Sequence, residues 1–284
     1  MPRDTDSRTM MNSRCSLQTI QSLRFGTRAH DDGIGRVLYW SSRAIALLFQ
    51  NRVITLLNRY GVLLPSAVIA DIDSFPKVTS AYFNDNQIIL DSMVIELSNP
   101  IDLSFHKTVE LPVEELLNTL RPFLKIKSHS IANAVLRIEG RTNYLSGIEK
   151  AVADRQFNIL TASSSIEQAI ENLLGLGFGL TPSGDDFALG VISVFNLLGR
   201  NTDKIRQGVI SYDFPLSKTM LLDALDGFYA EPLCSLLESL SRGNISKELI
   251  SDLLKTGHSS GSDILSGIYY TLLELSKQPD GIMR

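Results

Sequence analysis

Apolar positions recur along this chain in two different rhythms. Through roughly the first hundred residues they come in short bursts rich in Val, Ile, Leu, Tyr and Phe, the residues that suit a pleated, half-buried surface. These bursts predict strands over 16–25, 36–40, 44–49, 52–57, 62–69, 78–83, 87–90 and 93–97. Turn residues separate them: Asp31-Asp-Gly33, Tyr60-Gly61 and Asn84-Asp-Asn86, the last predicting a hairpin. Many short, closely spaced strands suggest a small barrel or sandwich. Near Asn99-Pro100 the rhythm changes, and from Val113 onward the period is helical. Helices are predicted over 113–120, 131–137, 145–157, 166–174, 182–198, 217–229, 233–240, 246–255 and 261–276. Ser164 followed by Glu167 reads as a capping box for the fourth, and Gly199 as the stop of the fifth. Strands first and helices after argue an α+β fold, with a β-rich N-terminal barrel or sandwich followed by an all-helical C-terminal domain. The expected division is a disordered tail over 1–13, a β-rich domain over 14–104 and a helical domain over 105–284.

The 182–198 segment is apolar on nearly every face, as a fully buried helix is. Its start is polar: Gly175-Leu-Gly-Phe-Gly-Leu-Thr-Pro-Ser-Gly-Asp-Asp-Phe187. Thr181 is a good N-cap, and Pro182 suits the first helical position, where its missing N–H costs nothing. Asp185 and Asp186 then fall in the first turn, favourable with the helix dipole. The pattern Ser-Gly-x-Asp-x-x-x-Gly, running from Ser183 to Gly190, returns 77 residues later from Ser260 through Gly261 and Asp263 to Gly267. The second copy also follows a glycine, in Gly257-His258-Ser259, and opens a helix with an apolar stripe. Each second glycine lies one turn after the Asp, where it could let another helix pack close. If Gly190 and Gly267 face each other, the two helices cross near their starts and both N-termini point into one cleft. Such a cleft would hold helix-end N–H groups, hydroxyls and carboxylates, a setting for a small anion with or without a divalent metal. The plain alternative is that Ser/Thr-Pro-x-Gly and Ser-Ser-Gly are common helix starts, with Asp as simple capping.

Other motifs do not hold. The glycines at 175, 177 and 179 are misplaced for a dinucleotide fingerprint, and no Gly-Lys-Ser/Thr follows for a phosphate-binding loop. Ser183 is in no nucleophile elbow. The histidines at 30, 106, 129 and 258 show no metal-ligand spacing. A net charge of −4 over 284 residues gives no general attraction to nucleic acid or an anionic membrane. No apolar run approaches the roughly 20 residues of a membrane span. The polar N-terminus lacks a signal peptide's apolar core, and Cys15 and Cys234 read as reduced thiols, so a cytoplasmic location is expected.

The two motifs, Gly177 to Phe187 with Gly190 and Gly257 to Asp263 with Gly267, resemble a bacterial domain family catalogued without an assigned function. Some of its members are loosely described as carboxylases. The family includes the third subunit of oxamate carbamoyltransferase, the allantoin-catabolism enzyme that interconverts oxalurate and phosphate with oxamate and carbamoyl phosphate. The β-rich first hundred residues and the helix end Leu221-Leu-Asp-Ala-Leu-Asp-Gly227 also resemble the family's layout. The pattern usually carries Trp where Ser262 stands, and another near Ser98; this chain departs at both.

Together these readings imply a subunit of a carbamoyltransferase-like enzyme of allantoin or purine catabolism, working with other subunits on a small anionic substrate such as carbamoyl phosphate, phosphate or a carboxylate. The expected catalytic residues are Asp185, Asp186 and Asp263. The expected anion-binding residues are Gly177, Gly179, Thr181, Ser183, Gly184, His258, Ser259, Ser260 and Gly261. Carboxylates beside an anion repel it unless a metal or proton intervenes, so Mg²⁺ on Asp185 and Asp186 is expected. The alternatives are a non-catalytic scaffold or regulatory subunit, and a stand-alone carboxylase, hydrolase or lyase on a small amide or carboxylate.

Overall fold

A computed structural model describes residues 17–277 apart from 51, 142–144 and 245. The tail expected over 1–13 and Cys15 lie outside the described residues. Strands come first: β1 (Gln18–Gly26), β2 (Gly33–Trp40), β3 (Ala44–Leu48), β4 (Val53–Leu57), β5 (Ala67–Ala70), β6 (Ala81–Asn84), β7 (Gln87–Leu90), β8 (Met93–Glu96) and β9 (Pro100–Ile101). They pair in the order β5-β4-β3-β2-β6-β7-β8-β1, and β1 also pairs with β5. That last pairing closes an eight-stranded barrel and leaves no free sheet edge among these strands. Most neighbours are antiparallel, but β1 runs parallel to β8 and β4 parallel to β5. β9 continues beside the end of β1, in parallel.

Alternation puts one face of each strand inside. In β6 to β8 the inward residues are Ala81, Phe83, Ile88, Leu90, Met93 and Ile95, which join one barrel core. The predicted hairpin forms between β6 and β7, with Asp85 at φ 51°. The strand predicted over 62–69 is shorter and later, because 61–64 run as extended chain without ladder partners before β5.

The helices are α1 (Val113–Leu120), α2 (Ala132–Ile138), α3 (Gly147–Ala162), α4 (Ile166–Leu173), α5 (Ser183–Leu197), α6 (Asp203–Ile210), α7 (Pro215–Leu225), α8 (Glu231–Ser241), α9 (Lys247–Leu254) and α10 (Ser260–Ser276). The fold is therefore α+β, a barrel followed by a helical region. Helix α6 was not anticipated from the pattern: it buries only Ile205 and Val209, too few positions for a visible apolar stripe. The helix expected over 217–229 starts at Pro215 and ends at Leu225, because Gly227 turns the chain at φ 82°. The cap of α4 is Ser165, whose hydroxyl accepts from the Gln168 N–H, so the expected box at Ser164 and Glu167 is displaced by one residue. At the end of α5, Gly199 takes φ 64° just past Leu198.

Two helices form the centre. Every residue of α5 from Ser183 to Phe195 and of α10 from Gly261 to Leu272 is buried, and the other helices surround them. Barrel and helices meet along residues 101–105 and 223–231. Phe105 N–H donates to the Gly227 carbonyl at 2.7 Å, and Tyr229 N–H donates to that of Leu103 at 3.1 Å. Beside them Asp223, 2% exposed, accepts from Arg28, Arg52 and Ser66, all three on the barrel side. Asp226 pairs with Arg28 at 2.7 Å and with Arg206 at 2.8 Å.

Candidate functional site

The two motif copies meet as their glycines require. A Cβ on Gly190 would lie 2.1 Å from the Ile264 carbonyl oxygen, and one on Gly267 would lie 2.1 Å from that of Phe187. Ile264 and Phe187 follow the motif acids Asp263 and Asp186 directly, so the crossing is reciprocal about a local pseudo-twofold. Backbone-to-backbone approach of this kind leaves no room for a side chain. The pseudo-symmetry extends outward. Gly184 packs on the Leu173 carbonyl at the end of α4, and Gly261 packs on the Leu253 carbonyl in the last turn of α9.

The helix starts differ in detail from expectation. Pro182 is the N-cap of α5 with ψ 147°, and the helix begins at Ser183. Thr181 stands one residue too early to cap, and its hydroxyl donates to Asp186 Oδ2 at 3.3 Å. The backbone donors are engaged within the fold. Gly184 N–H donates to Leu176, Asp185 and Asp186 N–H to Pro182, Gly261 N–H to Thr256 and Asp263 N–H to Ser259. The oxyanion role expected of the Gly184 and Gly261 backbone is therefore not open to it. Ser183, also buried, accepts from Gln156 Nε2 at 2.8 Å. Gly177 packs against Ser183 at φ 146°. Gly179, Leu180 and His258 are exposed, and Ser259 and Ser260 are half-buried.

The three acids have three environments. Asp185 Oδ1 accepts from Gly175 N–H at 2.8 Å, and Oδ2 accepts from the Tyr212 hydroxyl at 2.8 Å. It thereby ties the glycine loop to the segment before α7. Asp263 Oδ1 accepts from Ser130 Oγ at 2.6 Å and Ile131 N–H at 2.8 Å, so it holds the start of α2. Its Oδ2 is buried without a hydrogen-bond partner. Burial pushes its carboxyl up to about 7, against the pull of those donors. Asp186 is held well above the usual carboxylate range, first by burial and then by the charge of Asp263. Asp263 ionises first, and its charge then helps keep Asp186 protonated. Asp185 is also raised by burial, opposed by the donors just named.

This donor set does not fit the expected Mg²⁺ on Asp185 and Asp186. Both Asp185 oxygens are committed to hydrogen-bond donors, and among the described residues no three His, Cys, Asp or Glu side chains converge as a metal site.

Asp186 has a distinct surrounding: it borders a cavity of about 210 Å³ between the barrel and the helices. Thr181, Thr256 and Ser260 line it with Asp186, and Val53, Leu64, Leu216 and Met220 supply apolar wall. Ser66 and Asp223 stand on the lining as well. Neither Asp185 nor Asp263 borders this cavity. A larger, open cleft of about 790 Å³ runs along Ser163–Ser165 and Arg200 and contains no motif residue. Lys218 and Arg141 donate to the Ile210 and Leu124 carbonyls.

Sequence reasoning missed Asp223, Tyr212, Thr256 and the barrel wall. Asp223 had a signal, since it lies in the 221–227 helix end quoted for the resemblance. Tyr212 and Thr256 stand outside the predicted elements, and the predicted strands that hold Val53 and Leu64 gave no sign that they face the helices.

This pair of crossing motif helices lies inside a recognisable segment. Residues 173–272 match the family model of oxamate carbamoyltransferase subunit AllH. The AllH match begins at the last residue of α4 and ends within α10, so it takes in both motif copies and Asp223 while leaving the barrel outside. It agrees with the resemblance read from the two motifs. The matched segment is thus similar to a subunit of a carbamoyltransferase. No curated protein and no solved structure matches the chain. Among the described residues no helix is long and apolar enough to cross a membrane.

Proposed function

We propose that this chain is one subunit of an oxamate carbamoyltransferase-like enzyme, and that its motif region contributes to a site completed by partner subunits. The observation carrying this is the AllH match over the segment that holds both motif copies. Of the three motif acids, Asp186 is the one assigned a catalytic role. It alone of the three borders the cavity between barrel and helices, and burial with the charge of Asp263 favours its protonated, proton-donating form. Asp185 and Asp263 serve as positioning residues, through the glycine loop and the start of α2.

The small anion of the proposed reaction, carbamoyl phosphate, phosphate or a carboxylate, is best accommodated at the exposed side of the loop, around Gly177, Gly179 and Thr181 with His258 and Ser259. Among the described residues no cation lines the cavity, and in this proposal neutralising charge comes from a partner subunit. One set of observations favours a scaffold role as the second reading: the motif glycines pack backbone on backbone, and two of the three acids are spent on holding the glycine loop and the start of α2.

The test is reconstitution with the proteins encoded beside its gene, followed by assay for phosphate-dependent cleavage of oxalurate-like ureides. The complex should turn over, and Asp186→Ala should abolish turnover by at least a hundredfold while leaving assembly and the melting midpoint of the subunit close to wild type. Undiminished turnover by that variant would move the chemistry to a partner chain and leave the scaffold reading.

A further inference from the structure

We infer that the cavity between barrel and helices is a binding site for a small uncharged group with a short apolar body and one hydrogen-bonding end, such as a carboxamide or an alcohol. This deepens the reading above by naming what can enter beside Asp186, and it depends on that reading only for the cavity's use in turnover.

Three observations carry it. The first is the division of the lining. Val53, Leu64, Leu216 and Met220 are apolar wall; Thr181, bonded to Asp186, lines the cavity with Thr256 and Ser260, while Ser66 and Thr219 on the lining are already bonded to Asp223 and the Val53 N–H. Apolar walls with a few convergent polar groups are the usual make-up of a small-molecule site. At about 210 Å³ the space suits a group of only several heavy atoms. The second is an unfilled demand. The Thr256 hydroxyl is buried and has no hydrogen-bond partner among the described residues. A buried hydroxyl left unpaired is costly, and Thr256 is on the cavity's lining, so a polar ligand group beside it is one way to meet that cost. The third is charge. Among the described residues no Lys, Arg or His side chain borders the cavity, whereas two carboxyls do. Asp223 at the barrel side is already paired with Arg28, Arg52 and Ser66, so its charge calls for no cation from a ligand. An anion would enter an apolar space with no counter-charge and carboxyls for neighbours, which is the costly arrangement for a buried ion. An ammonium group would be stripped of water for the sake of Asp186 alone, which burial and the Asp263 charge already hold toward the neutral form. An amide or hydroxyl can both give and take hydrogen bonds with a carboxylic acid and hydroxyls, and carries no charge to desolvate.

The experiment uses the full chain alone, without partner subunits, and three probes of nearly equal size: butyramide, butyrate and butylammonium. Each is titrated at pH 7.5 and constant ionic strength, with the thermal midpoint and ligand-observed NMR as readouts. Butyramide should raise the midpoint in a saturable way, at least tenfold more tightly than either ion. Leu216→Trp and Met220→Trp, each at a half-buried wall position, should abolish the butyramide response without lowering the midpoint of the free protein by more than a few degrees. Two variants guard against one failing to fold. Tighter binding of either ion, no saturable binding of butyramide, or undiminished binding in both folded Trp variants would each overturn the inference. Because no turnover is measured, these outcomes are separate from failure of the reconstituted enzyme.

Discussion

At the scale of single residues, the acids of the motif show how little a side chain's type says without its surroundings. Asp185 and Asp186 are adjacent, yet one is locked between a backbone N–H and a tyrosine hydroxyl while the other borders a cavity. Asp263, the counterpart of Asp186 by the repeat, caps a different helix. Its titration yields a prediction with a definite sign. The folded carboxyl at about 7 lies above its ordinary value of 3.8, so the native state keeps a proton that the unfolded chain has released. The stability tied to that proton is intact below about pH 4 and lost as pH rises through about 7. Asp263→Asn cannot titrate but can still accept from Ser130 and Ile131 through its carbonyl. Urea-unfolding midpoints measured from pH 4 to 8 should fall more steeply for the wild type than for this variant. Parallel curves would mean that Asp263 is already ionised in the native protein across that range.

Elements are governed here by glycine placement. Helix α5 and helix α10 can cross at backbone contact only because positions 190 and 267 carry no Cβ. Gly190→Ala and Gly267→Ala should each destabilise the protein by about 3 kcal/mol, the upper end of overpacking costs, since the atom met is backbone and cannot rotate away. The double variant should cost clearly less than the two together, because one separation of the helices relieves both clashes. Gly208 in α6 is the control. A Cβ there meets nothing within 4 Å, so Gly208→Ala should stabilise by about 0.5–1 kcal/mol. Denaturant midpoints of the four proteins test this, and a tolerated Gly190→Ala would contradict the close crossing.

For the whole molecule, the question is what makes barrel and helices one unit. Asp223 is the central tie: it is nearly fully buried, on α7, and bonded to three barrel-side groups. Asp223→Ala would strand the Arg52 guanidinium at the junction and leave Arg28 with Asp226 alone. Arg28 and Arg52 keep about a quarter of their side-chain surface in water, which softens the loss to about 2–3 kcal/mol, below the full cost of breaking a buried pair. Trp40 is the chain's single tryptophan and sits in β2, so its fluorescence reports the barrel, while far-UV circular dichroism is dominated by the helices. In the wild type the two signals should change together on unfolding; in Asp223→Ala they should separate. Coincident transitions in the variant would show that the apolar junction suffices. A cavity at this junction can also be altered from the barrel side, through Val53, although the AllH match ends short of the barrel.

Periodicity alone determined most of the elements, because one face of each is buried and burial prints itself on the sequence as a period of two or 3.6. It located the strands of the barrel and the apolar stripe of α10, while α5 showed itself by being apolar on nearly every face, and the repeated Ser-Gly-x-Asp-x-x-x-Gly pattern offered Gly190 and Gly267 as a place where two helices could cross. The signal failed where little is buried, as in α6, and where a cap is decided by one dihedral, as at Thr181 and Pro182. Tertiary structure alone decided that β1 pairs with β5 to close the barrel, and that Asp186 rather than Asp185 or Asp263 borders the cavity. These depend on long-range pairings, such as Tyr212 to Asp185 and Ser130 to Asp263, whose partners stand apart in the chain and leave no periodic trace.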